Sequence, residues 1–262
     1  MTDKNTQPTV LRGLLVLEKV TAARRPMAAA DLVEELELPK PTVNRLLRQL
    51  ESEGLLQREP VKHRYQPGPR ARDMALGILT HKGVGAARHA ILQALSDEIG
   101  ETCNCALRDG GVLVYFDRVE ANWPYRIQLP IGSHLPLHCT ASGKLLLAHM
   151  DARHRNRLLR AAPLERFTER TITDPDRLDA ALKTVRAEGV GIDDQEFLDG
   201  MAAVAAPVFN QAGEACFTVA VHAPTARKPL RALRAHIPAL RAAAQALEAH
   251  YCQVYPAESA AL

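Results

Sequence analysis

The chain has 262 residues, of which 47% are hydrophobic and 24% charged, so it can fold as one large or two modest globular domains. No stretch reaches the about eighteen uninterrupted apolar residues of a membrane helix, and the start MTDKNTQPTV lacks the basic-then-apolar order of a signal peptide. We therefore expect a cytoplasmic protein. Its five cysteines are scattered and form no CxxC pair, so we expect neither disulfides nor a structural metal, and no cofactor.

Positive charge is concentrated in the first third of the chain. Residues 1–82 hold 14 Lys and Arg against 10 Asp and Glu, whereas residues 83–262 hold 19 against 20. The formal net charge of the whole chain is only +3. This uneven distribution favours a polyanionic partner for the N-terminal part.

Three short helices and a hairpin are predicted in the first seventy residues. VLRGLLVLEKVTAA has apolar residues at helical spacing and is broken by Pro26; AAADLVEELEL follows and ends at Pro39. PTVNRLLRQLESEGLL is the third helix, with Pro41 suited to its first position and Gly54 to its C-terminal cap. LLQREPVKHRYQPG then predicts a small hairpin with a charged tip at 59–63. This order of elements is typical of a winged helix-turn-helix.

The third helix has one apolar face and one polar face. Val43, Leu46, Leu47 and Leu50 share the apolar face, and Arg45 and Arg48 project from the opposite one. A solvated helix would look nearly the same, but the preceding helix, the charged hairpin and the local positive charge favour a major-groove reader with a wing. The predicted DNA-binding residues are Lys40, Pro41, Thr42, Asn44, Arg45 and Arg48 of the helix, and Lys62, His63 and Arg64 of the wing.

The rest of the chain alternates strand-like and helical runs. PRARDMALGILTHK can form a connecting helix, and AARHAILQALSDEIGET is amphipathic. The strand-like runs are CNCALRDG, GVLVYFDRVE, YRIQLPIG, GIDDQEF, AAVAAPVFN and ACFTVAVHAP. The hairpin signals RDGGV and NQAGE favour an antiparallel or mixed sheet over a strictly alternating βαβ array.

The helix start in HCTASGKLLLAHM predicts an anion site. Thr140 to Gly143 precede an apolar helical run, and the exposed N–H groups of a helix start can bind a carboxylate. Thr140 can equally be a simple helix cap.

Long ordered segments of the chain resemble the IclR-type bacterial transcription regulators. The N-terminal resemblance runs through LRGLLVLEKV, ADLVEELELPKPTVNRLLRQLESEGLLQRE and RYQPGPR. The C-terminal resemblance runs through EIGETCNCALRDGGVLVYFDRVE, LPIGSHLPLHCTASGKLLLAHM, RFTERTITDPDRL, EGVGIDDQEFLDGMAAVAAPVF and VAVHAPTAR. One departure is Pro41, where members often carry Ser or Thr, so a hydroxyl that could reach a phosphate is missing, although Thr42 remains.

The resemblance implies an α+β fold: an N-terminal winged helix-turn-helix, a linker helix and a GAF-like effector-binding domain with a curled antiparallel or mixed sheet and flanking helices. It implies an effector pocket at Tyr125, Ile127, Leu135, Ala141, Ser142, Asp193, Met201, Ala203, Ala220 and His222. Members that bind small oxo-acids can have serines at positions 220 and 222. Their replacement here suggests a larger organic acid as ligand, aromatic acids among them.

Two positions of this pocket leave alternatives open. His222 is either an inward polar group or an outward residue at a strand end. Asp193 and Asp194 are neighbours on a strand, so at most one of them faces the cavity.

Two rival functions use the cysteines. Cys139 follows His138, but no third orienting group or elbow motif accompanies them, so we do not expect an enzyme. A thiol- or metal-sensing regulator could use Cys103, Cys105 and Cys139, although buried cysteines that fill strand positions are the simpler interpretation.

The sequence therefore predicts a ligand-responsive transcription regulator without membrane contact. Its predicted partners are a double-stranded DNA operator, a small organic acid effector and further copies of the chain, as a homodimer or homotetramer. The predicted segments are a flexible N-terminus at 1–9, the DNA-binding domain at 10–69, the linker helix at 70–84, the effector-binding domain at 85–255 and a C-terminal tail at 256–262.

Overall fold

The computed structural model describes residues 8–23, 25–59, 63–81, 85–124 and 129–254. Most of the predicted N-terminal segment and all of the predicted tail lie outside these residues, as do Lys62, Tyr125 and Ile127. The chain divides into two compact units, residues 1–78 and 79–262. Among the described residues, no helix is both long and apolar enough to cross a bilayer.

The first unit is a three-helix core with a two-stranded ribbon. Its elements are α1 (Thr9–Ala22), α2 (Ala29–Leu36), α3 (Lys40–Ser52), β1 (Leu56–Arg58) and β2 (Tyr65–Pro67), followed by α4 (Pro69–Thr80), which overlaps the predicted linker helix and carries the chain into the second unit. β1 and β2 pair antiparallel. The helices and ribbon bury a common apolar core that includes Val16, Leu32, Leu47 and Leu56.

The turn between α2 and α3 follows from local sequence. α2 ends with Glu37 in the left-handed region at φ 56°, and Leu38 is buried in the core of this unit. Pro39 caps α3, and Pro41 occupies its first turn, where a missing N–H costs no helical hydrogen bond. These residues set a short, tight connection between the two helices of a helix-turn-helix.

The second unit is a curled antiparallel sheet covered by helices. Its helices are α5 (Ala86–Ile99), α6 (Ala141–His149), α7 (Ala152–Leu159), α8 (Pro175–Glu188), α9 (Leu230–Arg234) and α10 (Ile237–Val254). Its strands are β3 (Thr102–Asp109), β4 (Val112–Val119), β5 (His134–Pro136), β6 (Gly191–Asp194), β7 (Met201–Phe209) and β8 (Ala215–Pro224), in the order β5-β4-β3-β8-β7-β6. Every pairing is antiparallel, which decides between the antiparallel and mixed sheets that the sequence allowed.

One predicted strand is wrong in its described part. Residues 129–132 of YRIQLPIG form a turn that contains Gly132 at φ 88°, and the edge strand follows it as β5. Pro130 cannot donate a ladder hydrogen bond, and Gly132 adopts a conformation that glycine tolerates best. The described residues of this run, 129–132, therefore belong to a turn, and the edge strand begins only after the run, at His134.

The two faces of the sheet have different coverings. α5 and α10 pack on one face, and α6 packs on the other, with α8 against its outer side. Side chains alternate between the faces along each strand, so Ala205 and Ala220 meet α6, whereas Val219 and Val221 point the other way. The space beside α6 is where the sheet encloses a cavity.

Two glycines allow α6 to approach its neighbours closely. A Cβ atom on Gly191 would lie 2.1 Å from the carbonyl oxygen of Ala141, and one on Gly143 would lie 2.3 Å from that of Leu137. Only residues without a side chain fit at these backbone contacts. Gly191 thereby places β6 directly against the first turn of α6.

Replacement of Gly191 with Ala should destabilise the second unit. The added methyl group meets backbone atoms, so either β6 or α6 must shift, at a cost of about 1–3 kcal/mol. We expect the melting temperature of this unit to fall by several degrees in differential scanning calorimetry. Gly111→Ala is the matched control, because its Cβ would make only an ordinary contact, 3.5 Å from Leu158. Equal melting temperatures for the two variants would contradict the close-contact argument.

Candidate functional site: a DNA-reading helix and an effector cavity

The polar face of α3 lies on the surface of the first unit. Val43, Leu46 and Leu47 are buried, whereas Arg45 and Arg48 are exposed. Arg45 donates from Nη1 to Oε1 of Gln49 at 3.3 Å, and Arg48 donates from Nε to its own helix, at the carbonyl of Asn44, at 3.3 Å. Both guanidinium groups are therefore held along the helix by weak local contacts that a DNA groove could replace.

The start of α3 presents the remaining helix residues predicted to contact DNA. Lys40 and Pro41 are exposed, and Thr42 and Asn44 are half-buried. The structure thus places all six of the predicted helix residues on α3, and none of them is fully buried.

One of the predicted wing residues, Arg64, makes contacts within the first unit that hold the ribbon. His63 is exposed at the hairpin tip with φ 49°. Arg64 donates from Nη1 to the carbonyl of Pro26 at 3.2 Å and lies 3.9 Å from the carboxylate of Asp31. Arg64 therefore ties the ribbon to the start of α2, which fixes the wing beside the helix-turn-helix.

The second unit contains a cavity between α6 and the sheet. About 520 Å³ of space free of atoms lies in and in front of it, and part of this space is open solvent. It brings together seven of the eight predicted pocket residues that the structure describes, which are Ala141, Ser142, Asp193, Met201, Ala203, Ala220 and His222. The eighth, Leu135, is buried in the core opposite Leu113 and is not among the lining residues.

The N-terminus of α6 forms one end of the cavity. Thr140 caps the helix, because its hydroxyl accepts from the N–H of Gly143 at 3.2 Å, and it also lines the cavity. Within the described part of the chain, the N–H groups of Ala141 and Ser142 have no acceptor. Two backbone donors and the positive end of the helix dipole are thus available for an anion.

The opposite polar group of the cavity is built on β3, β4 and β8. Asn104, Arg118 and His222 share one face of the sheet, because Asn104 pairs with Arg118 across one ladder and lies next to His222 across the other. Nδ2 of Asn104 is 3.2 Å from Nδ1 of His222, and Nη2 of Arg118 is 3.5 Å from its Nε2. His222 therefore points inward, which settles the alternative that its position in the strand left open.

The His222 ring is neutral. Burial, and then the neighbouring Arg118 guanidinium, lower the pKa of His222 to about 3. A neutral imidazole has one donor and one acceptor nitrogen, and which is which depends on its tautomer. The His222 ring can thus hydrogen-bond a ligand group without adding its own positive charge to that of Arg118.

Acidic groups approach the cavity from β6 and the loop after it. Asp193 faces the cavity, and Asp194 points outward to an ion pair with Arg170 at 2.6 Å. Lys144 of α6 is buried and forms an ion pair and hydrogen bond with Glu196. The pair keeps both charges in the interior, where an unpaired charge would be costly.

Several lining residues were not predicted from the sequence. They are Asn104, Leu113, Tyr115, Leu129, Phe197, Leu198 and Ala202, whereas Thr140 was expected as part of the helix start. A signal for Asn104 existed, because it is the one amide in the otherwise apolar run CNCAL and alternation places it opposite its two cysteine neighbours. Phe197 and Leu198 come from a loop, where no periodicity indicates which side chains turn inward.

The cysteines give no support to thiol or metal sensing. Cys103 and Cys105 lie on the sheet face away from the cavity, and both are buried, as is Cys139. Burial raises the pKa of all three thiols, so they stay protonated and poorly reactive. Among the described residues, no group of three or more His, Cys, Asp or Glu side chains could hold a metal ion.

Comparison with known proteins assigns both units to one family. The family model described as "IclR helix-turn-helix domain" matches residues 9–60. The model described as "Bacterial transcriptional regulator IclR C-terminal" matches residues 76–249. The two matches cover the α3 surface and the cavity respectively.

Curated relatives and solved structures also include transcription regulators similar to this chain. The "Probable transcriptional regulator SauR" of Cupriavidus necator is 45% identical over 228 residues, which is 87% of this chain and 90% of that protein. A transcriptional regulator of Rhodococcus sp. RHA1 of known crystal structure has a TM-score of 0.65 at 28% identity, over 94% of this chain and 99% of the other.

A third similar protein contributes a ligand-bound effector domain. A double mutant of the PobR inducer-binding domain from Acinetobacter, in complex with 3-hydroxybenzoic acid, has a TM-score of 0.57 at 26% identity, over 61% of this chain and 94% of that one. The chain belongs to the IclR family: it is a DNA-binding transcription regulator with a C-terminal effector-binding domain, and not an enzyme.

Proposed function

We propose that this regulator binds a small organic acid in the cavity beside α6 and that the bound acid changes operator binding by the winged helix-turn-helix. The observation that carries the proposal is the cavity itself: the N–H groups of Ala141 and Ser142, which have no acceptor among the described residues, face a partly open space lined by apolar side chains such as Met201 and Ala203. Such a site can hold a carboxylate at one end and a hydrocarbon body beyond it. A regulator of transcription would act in the cytoplasm, where bacterial DNA lies.

Aromatic acids are the first class of effector to test. The similar PobR domain was crystallised with 3-hydroxybenzoic acid. In this chain, Tyr115 and Phe197 add ring surfaces to the cavity, and the neutral His222 and Asn104 can bind a polar substituent. A screen of aromatic and short aliphatic acids by thermal shift would identify the class, because a ligand that binds only the folded state raises its melting temperature.

The bound acid would act by shifting populations. We propose that it favours one arrangement of the oligomer and so changes the spacing of the two recognition helices on the operator. An effector can shift this equilibrium only by its difference in affinity between the two arrangements.

Removal of either arginine from the polar face of α3 should weaken DNA binding. Arg45→Ala or Arg48→Ala should cost about 1–3 kcal/mol if the side chain contacts a base, that is, about 5- to 150-fold in affinity. Fluorescence anisotropy, with a duplex selected from a random pool by the wild-type protein, gives the measurement at fixed salt. Arg153→Ala, an exposed arginine of α7, is the charge-matched control. Unchanged affinity in both α3 variants would refute the recognition-helix assignment.

The chain should assemble into dimers or tetramers. Val10, Leu11 and Leu14 of α1 are 74%, 48% and 47% exposed, whereas Val20 on the same helix is buried in its own unit. These exposed apolar residues are a candidate interface. Light scattering at micromolar concentration should give at least twice the chain mass, and Leu11→Glu with Leu14→Glu should lower it. A monomeric wild-type protein would contradict the proposal.

Filling the cavity at Ser142 should abolish the response to effector and spare DNA binding. Ser142→Leu places a larger side chain beside the free N–H groups, in a position that is buried and lines the cavity. Acids that shift the melting temperature of the wild type should no longer bind in calorimetric titrations, while anisotropy with the selected duplex stays unchanged. Thr184→Leu, at an exposed position of α8, is the control. Wild-type affinity in Ser142→Leu would show that the anion site lies elsewhere.

A further inference from the structure

Asp193 is an acidic side chain buried beside the anion-binding end of α6. It is 5% exposed and lines the same cavity as Ala141 and Ser142. Gly191, two residues earlier on the same face of β6, lies against the carbonyl of Ala141. A carboxylate bound at the helix start would therefore be a neighbour of the Asp193 carboxylate. Two ionised carboxylates in one enclosed site repel each other strongly.

The fold uses only one oxygen of Asp193. Oδ1 accepts two hydrogen bonds, from the backbone N–H of Glu196 at 2.7 Å and from that of Phe197 at 3.4 Å. Oδ2 has no hydrogen-bond partner in the part of the chain that the structure describes. The turn that follows β6 is thus held by Oδ1 alone, and Oδ2 is available for a proton and a ligand.

The groups that face Asp193 do not offset a second negative charge. Lys144 from α6 forms an ion pair with Glu196, so the two side chains together bring no net charge to the site. Burial raises the pKa of Tyr115, on β4, to about 12 and also raises that of Cys139, which precedes α6, so both stay neutral near pH 7.

The more distant groups around the cavity do not change this balance. From β8, His222 is neutral, and Arg118 on β4 lies behind it with a hydrogen bond to Glu120. Asp194, the neighbour of Asp193, points away from the cavity into its ion pair with Arg170.

We propose that Asp193 binds the effector in its protonated form, so that the cavity takes up one proton from solvent together with each anionic acid. The proton lies on Oδ2 and is donated to a carboxylate oxygen of the ligand, whose other oxygen accepts from the N–H groups of Ala141 and Ser142. No covalent bond forms or breaks apart from the transfer of the proton from water to Asp193. This inference rests on the proposed acid-binding function.

The cost of this proton is small near neutral pH. Burial, the largest cause, raises the pKa of Asp193 to about 7, against the opposing effects of the Glu196 N–H and the Lys144 charge. Below that pH the free protein already carries the proton, and affinity for an ionised acid is constant. Above it, the proton must be taken up on binding, so affinity falls as pH rises, by a limiting factor of about ten per pH unit.

Calorimetric titration of the full-length protein with 3-hydroxybenzoate and with pyruvate tests the inference. Both carboxylates are fully ionised from pH 6.5 to 8.5. The dissociation constant should rise about tenfold from pH 7.5 to 8.5 and little below pH 7. At pH 7.5, the observed heat should differ between phosphate and Tris buffers by the amount expected for uptake of a large fraction of one proton. This buffer comparison needs no mutant.

The Asp193→Asn variant separates the effect of the proton on ligand binding from the effect of a hydrogen-bonding side chain at this position. The amide keeps an acceptor oxygen for the N–H groups of Glu196 and Phe197 and offers a permanent N–H donor to the ligand. We expect it to bind the same acids without pH dependence and without proton uptake. Asp194→Asn is the matched control and should behave as wild type, because Asp194 lies outside the cavity.

The outcomes separate this inference from the function on which it rests. If the wild type binds either acid equally well from pH 6.5 to 8.5, without proton uptake, the role of Asp193 is refuted and the acid-binding function stands. The same holds if Asp193→Asn keeps the pH dependence of the wild type. If none of the aromatic and short aliphatic acids of the thermal-shift screen binds at millimolar concentration at pH 6.5, where the proton is in place, the acid-binding function fails and the inference fails with it.

Discussion

The structure of the effector unit depends on one constraint, which is that α6 begins inside the protein. Eight of its nine residues are buried, so the N–H groups of its first turn cannot turn to bulk water for hydrogen bonds. Thr140 satisfies one of them, at Gly143. The fold leaves the N–H groups of Ala141 and Ser142 facing the cavity, so donors that a dry core would leave unsatisfied form the polar end of the proposed ligand site.

The same burial explains the charges around the cavity. Lys144 lies one turn into α6 and has to be paired, which places Glu196 next to it. The loop that holds Glu196 is fixed in turn, because the hydroxyl of Thr171 donates to the carbonyl of Glu196 at 2.6 Å and Asp193 accepts from its N–H. The aromatic and apolar side chains of this loop, Phe197 among them, are therefore positioned by polar contacts made to the backbone.

The sequence contained most of the local structure and part of the site. Helical periodicity and the proline and glycine positions were sufficient for α1 to α3 and for the ribbon, because each is specified by contacts within a few residues. Ser142 was predicted from the helix start, and the inward strand residues Ala203 and His222 were predicted from the family resemblance. Phe197 was not predicted, because the direction of a loop side chain depends on partners that are distant in sequence. Here these partners are Thr168 and Thr171, which hydrogen-bond to the loop backbone. The hydrogen bond from Arg64 to the carbonyl of Pro26 could not be predicted either, because the two residues are 38 positions apart in the sequence.

Strand β4 connects the cavity with the end of α4 through two adjacent residues. Arg118 lies on the same face of the sheet as His222, with Nη2 3.5 Å from its ring, and Asp117, on the opposite face, accepts from Nε of Arg88 at 2.7 Å. Arg88 also donates to the carbonyl of Leu79, in the last turn of α4, at 2.7 Å. The buried Arg88–Asp117 pair resists separation. The side chain next to His222 and the side chain that holds Arg88 are thus carried by two adjacent residues of one strand.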